Sequence, residues 1–245
     1  MQIWRGKMPI YVFDMDGTLT PPRLPMTKEF AVDFDKWQKT HKSYIATGSD
    51  MKKVEEQLPA YIIDNFTGIY TSMGNVLTSK GNIVYQNDFI PDAELYAMLE
   101  DFRKNTKYTG ELFPNYIETR IGMINFSVLG RNCPYSEREK YSAWDKINKE
   151  RENIADKLRA RFPDYEISVG GSISIDITPQ GHSKGQIARH LRKEYPSDDI
   201  IFFGDKTFKG GNDYELAHEL LQMDNTKVVQ ISSPDEVLKY LKNGI

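Results

Sequence analysis

Two aspartates separated by one residue directly follow a short apolar run near the start of the chain. The run IYVF covers residues 10–13, and Asp14 and Asp16 follow it in the sequence DMDGTLT. Alternate residues of an extended chain point to one side, so both carboxylates are expected at one site. Close carboxylates repel each other unless a cation or a proton lies between them, and Mg²⁺ binds carboxylates together with phosphate oxygens. The pattern therefore favours magnesium-dependent phosphate chemistry over an acidic turn.

Further polar residues stand where later strands or helices are predicted to end or begin. Thr47 and Ser49 follow a predicted strand, and either hydroxyl could bind a phosphate oxygen, although TGSD is also an ordinary turn and N-cap. Lys184 lies in the predicted first turn of a helix capped by Ser183. There it could neutralise a nucleophilic carboxylate and a phosphoryl oxygen, or it could remain a solvated lysine.

A third predicted strand, IIFF at 200–203, ends at Asp205, and a glycine-rich loop with Asn212 and Asp213 follows. These carboxylates could join the same site, because parallel strands of α/β sheets build their sites at the carboxyl ends. In the alternative reading, Asn212 or Asp213 caps the helix that begins at Tyr214.

The spacing of strands and helices around these residues predicts an α/β protein with a parallel sheet at both ends of the chain. The predicted strands are 10–13, 43–46, 200–203 and 228–231. The predicted helices are one capped by Thr27, one over about 50–58 that stops at Pro59, one capped by Ser183, one from Tyr214 and one over 234–241.

Between these ends, residues 82–181 are predicted to form an inserted α+β module with an antiparallel sheet, which leaves 1–81 and 182–245 as the two parts of the core. The predicted elements of the module are a helix at 91–104, two strands within 116–129 around a turn at Gly122, a long helix opened by a Ser136–Glu139 capping box, and a strand at 172–178.

The strand at 172–178 alternates strictly between isoleucines and polar residues, so Ser174 and Asp176 are expected on one polar face. Arg120, Arg131 and Arg138 lie at strand ends and in a helix first turn. An arginine in a first turn opposes the helix dipole unless an anion docks there. The three arginines therefore predict a second phosphate site, although each alone could be a surface arginine.

Composition narrows the class of protein. Thirty-two basic and 35 acidic residues give a net charge of −3, which argues against bulk nucleic-acid binding. A single cysteine, Cys133, excludes a disulfide framework and a multi-cysteine zinc site. The N-terminus lacks a signal-peptide core and no apolar run is long enough to span a membrane, so we expect a cytoplasmic protein.

Along the chain, the motifs follow the order DxDGT, T/S, Lys, GD and ND. In this order the chain resembles the haloacid dehalogenase superfamily of phosphotransferases. The resemblance implies a Rossmann-like core with an inserted cap, Asp14 as nucleophile, Asp16 as general acid/base, and Lys184 as orienting cation. It also implies Mg²⁺ held by Asp14, the main-chain carbonyl of Asp16, and Asp205.

Longer segments, among them FDMDGTLTPPR, IETRIGMINFSVLGRNC, SVGGSISIDITPQGHSK and FFGDKTFKGGNDYE, resemble the eukaryotic-type phosphomannomutases of that superfamily. This resemblance implies interconversion of mannose 6-phosphate and mannose 1-phosphate with a hexose 1,6-bisphosphate activator. It further implies a homodimer through the cap and a place in GDP-mannose biosynthesis. The implied substrate-binding residues are Arg23, Thr47 or Ser49, Arg120, Arg131, Arg138, Ser174 and Asp176.

Two other functions use the same residues. A sugar phosphatase would need the same aspartates, with water as the final acceptor. A sugar-phosphate-binding regulator would keep the fold, but it would have no use for paired, repelling carboxylates. The choice between mannose and glucose phosphates stays open, as does the role of an apolar stripe of Tyr141, Trp144 and Ile147, which could form a dimer interface or internal core.

Overall fold

The computed structural model describes residues 8–243. Residues 1–7 and 244–245 lie outside this range. The N-terminal stretch that we expected to lack a signal-peptide core therefore falls mostly outside the described residues. The chain divides into two compact units. The core unit joins the chain up to Gln86 with the chain from Lys184 onward, and the cap unit is Asn87–Ser183.

The core unit contains a seven-stranded sheet within the described residues, in the order β11-β10-β1-β2-β3-β4-β5. Its strands are β1 (Ile10–Phe13), β2 (Lys42–Ala46), β3 (Gly68–Thr71), β4 (Val76–Ser79), β5 (Asn82–Gln86), β10 (Ile200–Gly204) and β11 (Thr226–Gln230). The five strands from β11 to β3 are parallel, whereas β4 and β5 are antiparallel to their neighbours. The α/β prediction is therefore confirmed, with a mainly parallel sheet.

Strand β5 explains why the unit boundary differs from the expected one. Residues 82–86 pair with β4 and so complete the core sheet, which moves the first boundary from 81/82 to 86/87. The second boundary falls at 183/184 rather than 181/182. Strands β3 to β5 were absent from the sequence-based prediction.

The helices of the core unit begin close to the predicted positions, except that the helix at 60–65 was not predicted and the one after Lys184 begins later than expected. They are α1 (Lys28–Gln38), α2 (Met51–Gln57), α3 (Ala60–Asn65), α7 (Gln186–Glu194), α8 (Tyr214–Leu221) and α9 (Pro234–Asn243). The Thr27 cap is confirmed, because its hydroxyl accepts from the Phe30 N–H. The Ser183 cap is wrong: Gly185 holds the N-cap position of α7, so Lys184 precedes the helix instead of lying in its first turn.

The centre of the core sheet sets the position of the first aspartate. Strands β1 and β10 are buried along their whole length, as is usual for parallel strands covered on both faces. Phe13 and Phe203 are register partners, and their rings stack with centroids 5.1 Å apart. The Asp14 N–H continues the ladder by donating to the Phe203 carbonyl at 2.9 Å. Asp14 therefore lies beside the residues that follow β10.

The cap unit contains a four-stranded antiparallel sheet in the order β6-β7-β9-β8 within the described residues. Its strands are β6 (Ile117–Arg120), β7 (Met123–Phe126), β8 (Tyr165–Gly170) and β9 (Ser174–Pro179), and its helices are α4 (Ala93–Lys104), α5 (Tyr135–Asn148) and α6 (Glu150–Arg161). The predicted alternation is confirmed on its apolar side, because Ile173, Ile175 and Ile177 are all buried.

The predicted long helix and its capping box are wrong. Pro134, not Ser136, holds the N-cap position of α5. A left-handed residue, Lys149 (φ 56°), divides the segment into α5 and α6. Tyr141 is fully buried in the cap core, but Ile147 is 82 % exposed, so the apolar stripe does not continue along one buried face.

Among residues 8–243, no helix combines the length and the apolar character needed to cross a bilayer.

Candidate active site

A fully buried lysine joins two aspartates at the carboxyl edge of the core sheet. The Lys184 ammonium donates to Oδ1 of Asp14 at 2.6 Å and to Oδ1 of Asp213 at 2.5 Å. Lys184 and Asp213 have no exposed side-chain surface, and Asp14 has 2 %. Three segments far apart in sequence thus meet at one charged centre: the end of β1, the turn that precedes α7 and the start of α8.

Burial controls the ionisation of this centre. Burial, together with the nearby Asp213 carboxylate, raises the pKa of Asp14 to about 8, against the opposing effect of Lys184. Burial by itself would lower the pKa of Lys184, but Asp14 and Asp213 outweigh it and raise that pKa. The ammonium therefore stays charged, and the carboxylates need additional positive charge to be fully ionised together.

Asp205, which follows β10, supplies a third carboxylate. Burial raises its pKa, and Oδ1 is buried without a hydrogen-bond partner among the described residues. Gly17 (φ +90°) permits the close approach, because a Cβ at this position would lie 2.5 Å from Asp205 Oδ2.

Asp14, Asp205 and Asp213 each offer an oxygen atom, and these atoms lie within 4.8 Å of one another. Lys184 pairs with Asp14 and Asp213, and the ammonium of Lys206 pairs with Asp205 at 3.2 Å, so three carboxylates beside two ammonium groups leave excess negative charge. Every ligand atom that the carboxylates offer is oxygen. This set fits a hard divalent cation such as Mg²⁺.

The sequence left Asp213 open between a place in this site and a helix cap, and no site role was assigned to it. It does occupy the N-cap position of α8, but its side chain makes no cap hydrogen bond. Its Oδ1 accepts from Lys184 and its Oδ2 from the Lys206 N–H at 3.2 Å. The signal was present in the GGND sequence, where a carboxylate follows two glycines near a strand end.

Asp16 lies close in sequence to the buried carboxylates but does not join their cluster. It is half-buried, and its Oδ1 accepts from the main-chain N–H of Arg23 at 2.7 Å. Arg23 itself has a left-handed backbone (φ 62°) in an exposed turn. The two aspartates of the motif therefore have different surroundings.

The two candidate hydroxyls after β2 also differ. Thr47 is buried, and its Oγ1 accepts from the Ser49 N–H at 3.0 Å. Ser49 is half-buried, and its hydroxyl has no recorded partner among residues 8–243, whereas its carbonyl accepts from Ser72 at 2.9 Å.

In the cap unit, the predicted arginines lie in one polar network on the sheet. Arg131 donates to Oγ of Ser174 at 3.2 Å and also to the side-chain oxygen of Asn125. The amide of Asn125 in turn donates to Asp176 at 2.5 Å. Burial raises the pKa of Asp176, and nearby Arg120 opposes that shift.

Glu118 is a member of this network that the sequence-based prediction missed. It accepts from Arg120 at 3.1 and 3.2 Å and also pairs with Arg131. Register places it opposite Asn125, which is itself opposite Asp176, so the three form one cross-strand row. The signal available in the sequence was the spacing of Glu118 and Arg120, because residues i and i+2 of a strand lie on one face.

Arg138 completes the cap network from the first turn of α5. It is nine-tenths buried, and it donates to the main-chain carbonyl of Arg131. Its Nη1 is buried without a hydrogen-bond partner in the described structure. Burial lowers the pKa of Arg138. An unsatisfied buried guanidinium nitrogen is costly and favours an anionic ligand.

The fold and the carboxylate cluster define the class of protein. A haloacid dehalogenase-like hydrolase from Bacteroides thetaiotaomicron has a similar fold, with a TM-score of 0.63 at 13 % sequence identity, over 97 % of this chain and 99 % of that one. The chain thus has the fold of the haloacid dehalogenase superfamily.

Sequence comparison defines the family within that class. The family model for eukaryotic phosphomannomutase matches residues 31–245. A phosphomannomutase from Schizosaccharomyces pombe is 36 % identical, over 95 % of this chain and 93 % of its own length. One from Dendrobium officinale is 33 % identical, over 97 % and 95 %. The chain belongs to the eukaryotic phosphomannomutase family.

Proposed function

We propose that this protein is a phosphomannomutase, which interconverts mannose 6-phosphate and mannose 1-phosphate through an aspartyl-phosphate and a hexose 1,6-bisphosphate. The observation that carries the proposal is the buried cluster of Asp14, Lys184 and Asp213, because it holds a carboxylate in one orientation at the edge where α/β sheets bind ligands. Membership of the family supports the choice of reaction.

The proposed metal is Mg²⁺, held by Asp14, Asp205 and the main-chain carbonyl of Asp16, with Asp213 beside them. The unpartnered Oδ1 of Asp205 supports this assignment. Bound Mg²⁺ supplies positive charge to the phosphoryl oxygens and to the nucleophile.

Asp14 is the proposed nucleophile. One carboxylate oxygen attacks phosphorus, a P–O bond to Asp14 forms, and the P–O bond to the sugar oxygen breaks. Asp16 donates a proton to that leaving oxygen. In the return step Asp16 takes the proton from a hydroxyl of the sugar monophosphate, and that oxygen attacks the phosphorus of the aspartyl-phosphate. The P–O bond to Asp14 breaks, which releases the Asp14 carboxylate. Lys184 fixes the orientation of Asp14 and neutralises charge throughout.

The remaining proposed roles concern binding of the sugar phosphate. We assign the transferred phosphate to the Ser49 hydroxyl in preference to Thr47, because Ser49 is half-buried and open to a ligand, whereas Thr47 is buried. Arg23 contacts the substrate. In the cap unit, the phosphate that is not transferred binds Arg120, Arg131 and Arg138, and the sugar contacts Ser174 and Asp176.

The homodimer through the cap, the cytoplasmic location and the supply of mannose 1-phosphate for GDP-mannose synthesis are further parts of this proposal, and they are supported by the family. Multi-angle light scattering tests the dimer directly: a mass near twice that of the chain is expected, and a monomer at micromolar concentration contradicts it.

The activity is tested by incubating the protein with mannose 1-phosphate, Mg²⁺ and glucose 1,6-bisphosphate while measuring mannose 6-phosphate and inorganic phosphate. Mannose 6-phosphate should accumulate well above phosphate, only with the activator and Mg²⁺, and not with Asp14→Asn. Release of free mannose and phosphate without mannose 6-phosphate identifies a phosphatase and overturns the mutase proposal. Parallel reactions with glucose 1-phosphate establish the sugar preference.

A further inference from the structure

A buried glutamine at the end of α2 contacts the loop that carries Asp16. Gln57 is 6 % exposed and is the last residue of α2. Its main-chain carbonyl accepts from the Met26 N–H at 2.8 Å, which ties the loop after β1 to this helix. The side chain reaches back to the same loop.

The neighbours fix the orientation of the Gln57 amide. Asp16 Oδ1 and the Leu24 carbonyl only accept hydrogen bonds, and the Thr20 hydroxyl can donate to the Met15 carbonyl at 3.2 Å. When the Gln57 amide nitrogen faces these three oxygen atoms, it lies 3.3 Å from Asp16 Oδ1, 2.9 Å from Thr20 Oγ1 and 3.3 Å from the Leu24 carbonyl oxygen. The opposite orientation would set the amide oxygen against two acceptors.

Gln57 and the Arg23 N–H therefore share one oxygen of the Asp16 carboxylate. For the other oxygen, Oδ2, no hydrogen bond is recorded with residues 8–243, and it is not among the buried unsatisfied atoms. One oxygen of Asp16 is thus anchored, and the other is accessible.

We propose that Gln57 is a positioning residue, whose amide anchors Oδ1 of Asp16 so that Oδ2 is the atom that gives and takes the proton. This inference rests on the proposed role of Asp16 as general acid/base. A carboxylate with one anchored oxygen loses fewer rotamers when it transfers a proton, and removal of such supporting contacts usually costs about 10- to 100-fold in activity.

The chain offers a matched control. Gln38 is also a buried glutamine of the core unit, 3 % exposed, and its amide donates to Ser43 Oγ and to the Ile62 carbonyl, away from the aspartates. Replacement of either glutamine by leucine removes a buried amide of the same size, so both variants should lose comparable thermal stability.

The test compares kcat, KM and the melting temperature of Gln57→Leu and Gln38→Leu. We expect Gln57→Leu to lower kcat about tenfold and to leave KM for mannose 1-phosphate within about twofold, whereas Gln38→Leu keeps both. If kcat of Gln57→Leu stays within twofold of the wild type, or falls only as far as that of Gln38→Leu, the proposal is wrong.

Two further variants keep the proposal testable if Gln57→Leu folds poorly. Gln57→Glu has the same length but sets a carboxylate against Asp16, so it should lose at least as much kcat. In an Asp16→Ala background, Gln57→Leu should cause no further loss in single-turnover phosphoryl transfer, because Gln57 acts through Asp16. A full additional tenfold loss there contradicts the proposal.

The mutase proposal and the Gln57 proposal can fail independently of each other. If the wild-type protein only releases phosphate, the mutase proposal fails, and the effect of Gln57→Leu on phosphate release still decides whether Gln57 positions Asp16.

Discussion

The core unit and the cap unit each gather charged side chains, with opposite excess charge and different exposure. In the core unit, Asp14 and Asp213 bind one buried ammonium, and the Asp205 carboxylate lies close to both aspartates. In the cap unit, Arg120 and Arg131 pair with Glu118 and lie near Asp176, and Glu118 retains 34 % of its side-chain exposure. Solvent and salt screen charges near the surface far more than buried ones. The fully buried core cluster is therefore suited to chemistry, and the cap cluster, which is more open only at Glu118, to reversible binding of an anion.

The largest effect is expected from Asp14→Asn. Loss of the nucleophile should reduce mutase activity by at least ~10⁴-fold, because an amide forms no stable phosphoryl ester. Incubation with labelled hexose bisphosphate followed by acid quenching should trap phosphorylated wild-type protein and no phosphorylated variant. Asp35→Asn on the surface of α1 is the control and should keep full activity. Substantial turnover by Asp14→Asn means that another residue is the nucleophile.

A smaller and more selective effect is expected in the cap. Arg131→Gln should lower kcat/KM for mannose 1-phosphate by roughly 100-fold, because it removes a charged donor from the phosphate site. Hydrolysis of acetyl phosphate, which carries no second phosphate, should change less than threefold. The control is Arg159→Gln, a surface arginine of α6 paired with Asp156. Equal losses with both substrates would remove the functional distinction between the two clusters.

The raised pKa of Asp14 predicts how stability depends on pH without metal. Its folded pKa of about 8 lies above the ordinary value of 3.8, so the folded protein holds this proton more tightly than the unfolded chain. Stability should therefore fall as pH rises from about 4 to 8. Calorimetry in EDTA should show a melting temperature that falls by several degrees between pH 5 and pH 8.

Two controls accompany the calorimetry. Asp14→Asn should flatten the decline, and Mg²⁺ should reduce it, because both remove the cost of the buried negative charge. A decline of equal slope in Asp14→Asn would show that other groups cause it.

The smallest effect is expected from Glu118→Gln. The neutral amide no longer competes for Arg120 and Arg131, so KM for mannose 1-phosphate should fall about threefold at low salt while kcat changes less than twofold. Steady-state kinetics at two salt concentrations measure this, and the difference from wild type should shrink at high salt. A higher KM would mean that Glu118 instead holds the arginines in their binding positions.

The sequence analysis singled out several residues of each cluster, but it assigned no role to some of the residues that contact them. Asp14 and Asp205 were found because each directly follows an apolar strand, and Ser174 and Asp176 because β9 alternates strictly. Glu118 was missed, and Asp213 was left open between the site and a helix cap, since an acidic residue in a turn or on a polar face has the same local pattern whether or not it meets a distant partner. Such pairings depend on tertiary contacts, and Lys184 lies 170 residues from Asp14.

The errors in the predicted helices and strands have a similar cause. The break between α5 and α6 falls at Lys149, a residue with no intrinsic preference for the left-handed region, so no glycine or proline marks it. Strands β3 to β5 contain only four or five residues each and carry no motif. The boundary of the inserted unit was misplaced because β5 resembles the start of a new module more than the edge of an existing sheet.

The pairing of β1 with β10 has a consequence for the order in which the chain acquires structure during synthesis. Ile10 is the register partner of Ile200, so the central ladder of the core sheet cannot close until almost the whole chain has left the ribosome. The cap unit is one contiguous segment and is complete by Ser183. We therefore expect the cap to become resistant to protease on the nascent chain first, while β1 waits for β10, which is translated after the whole cap.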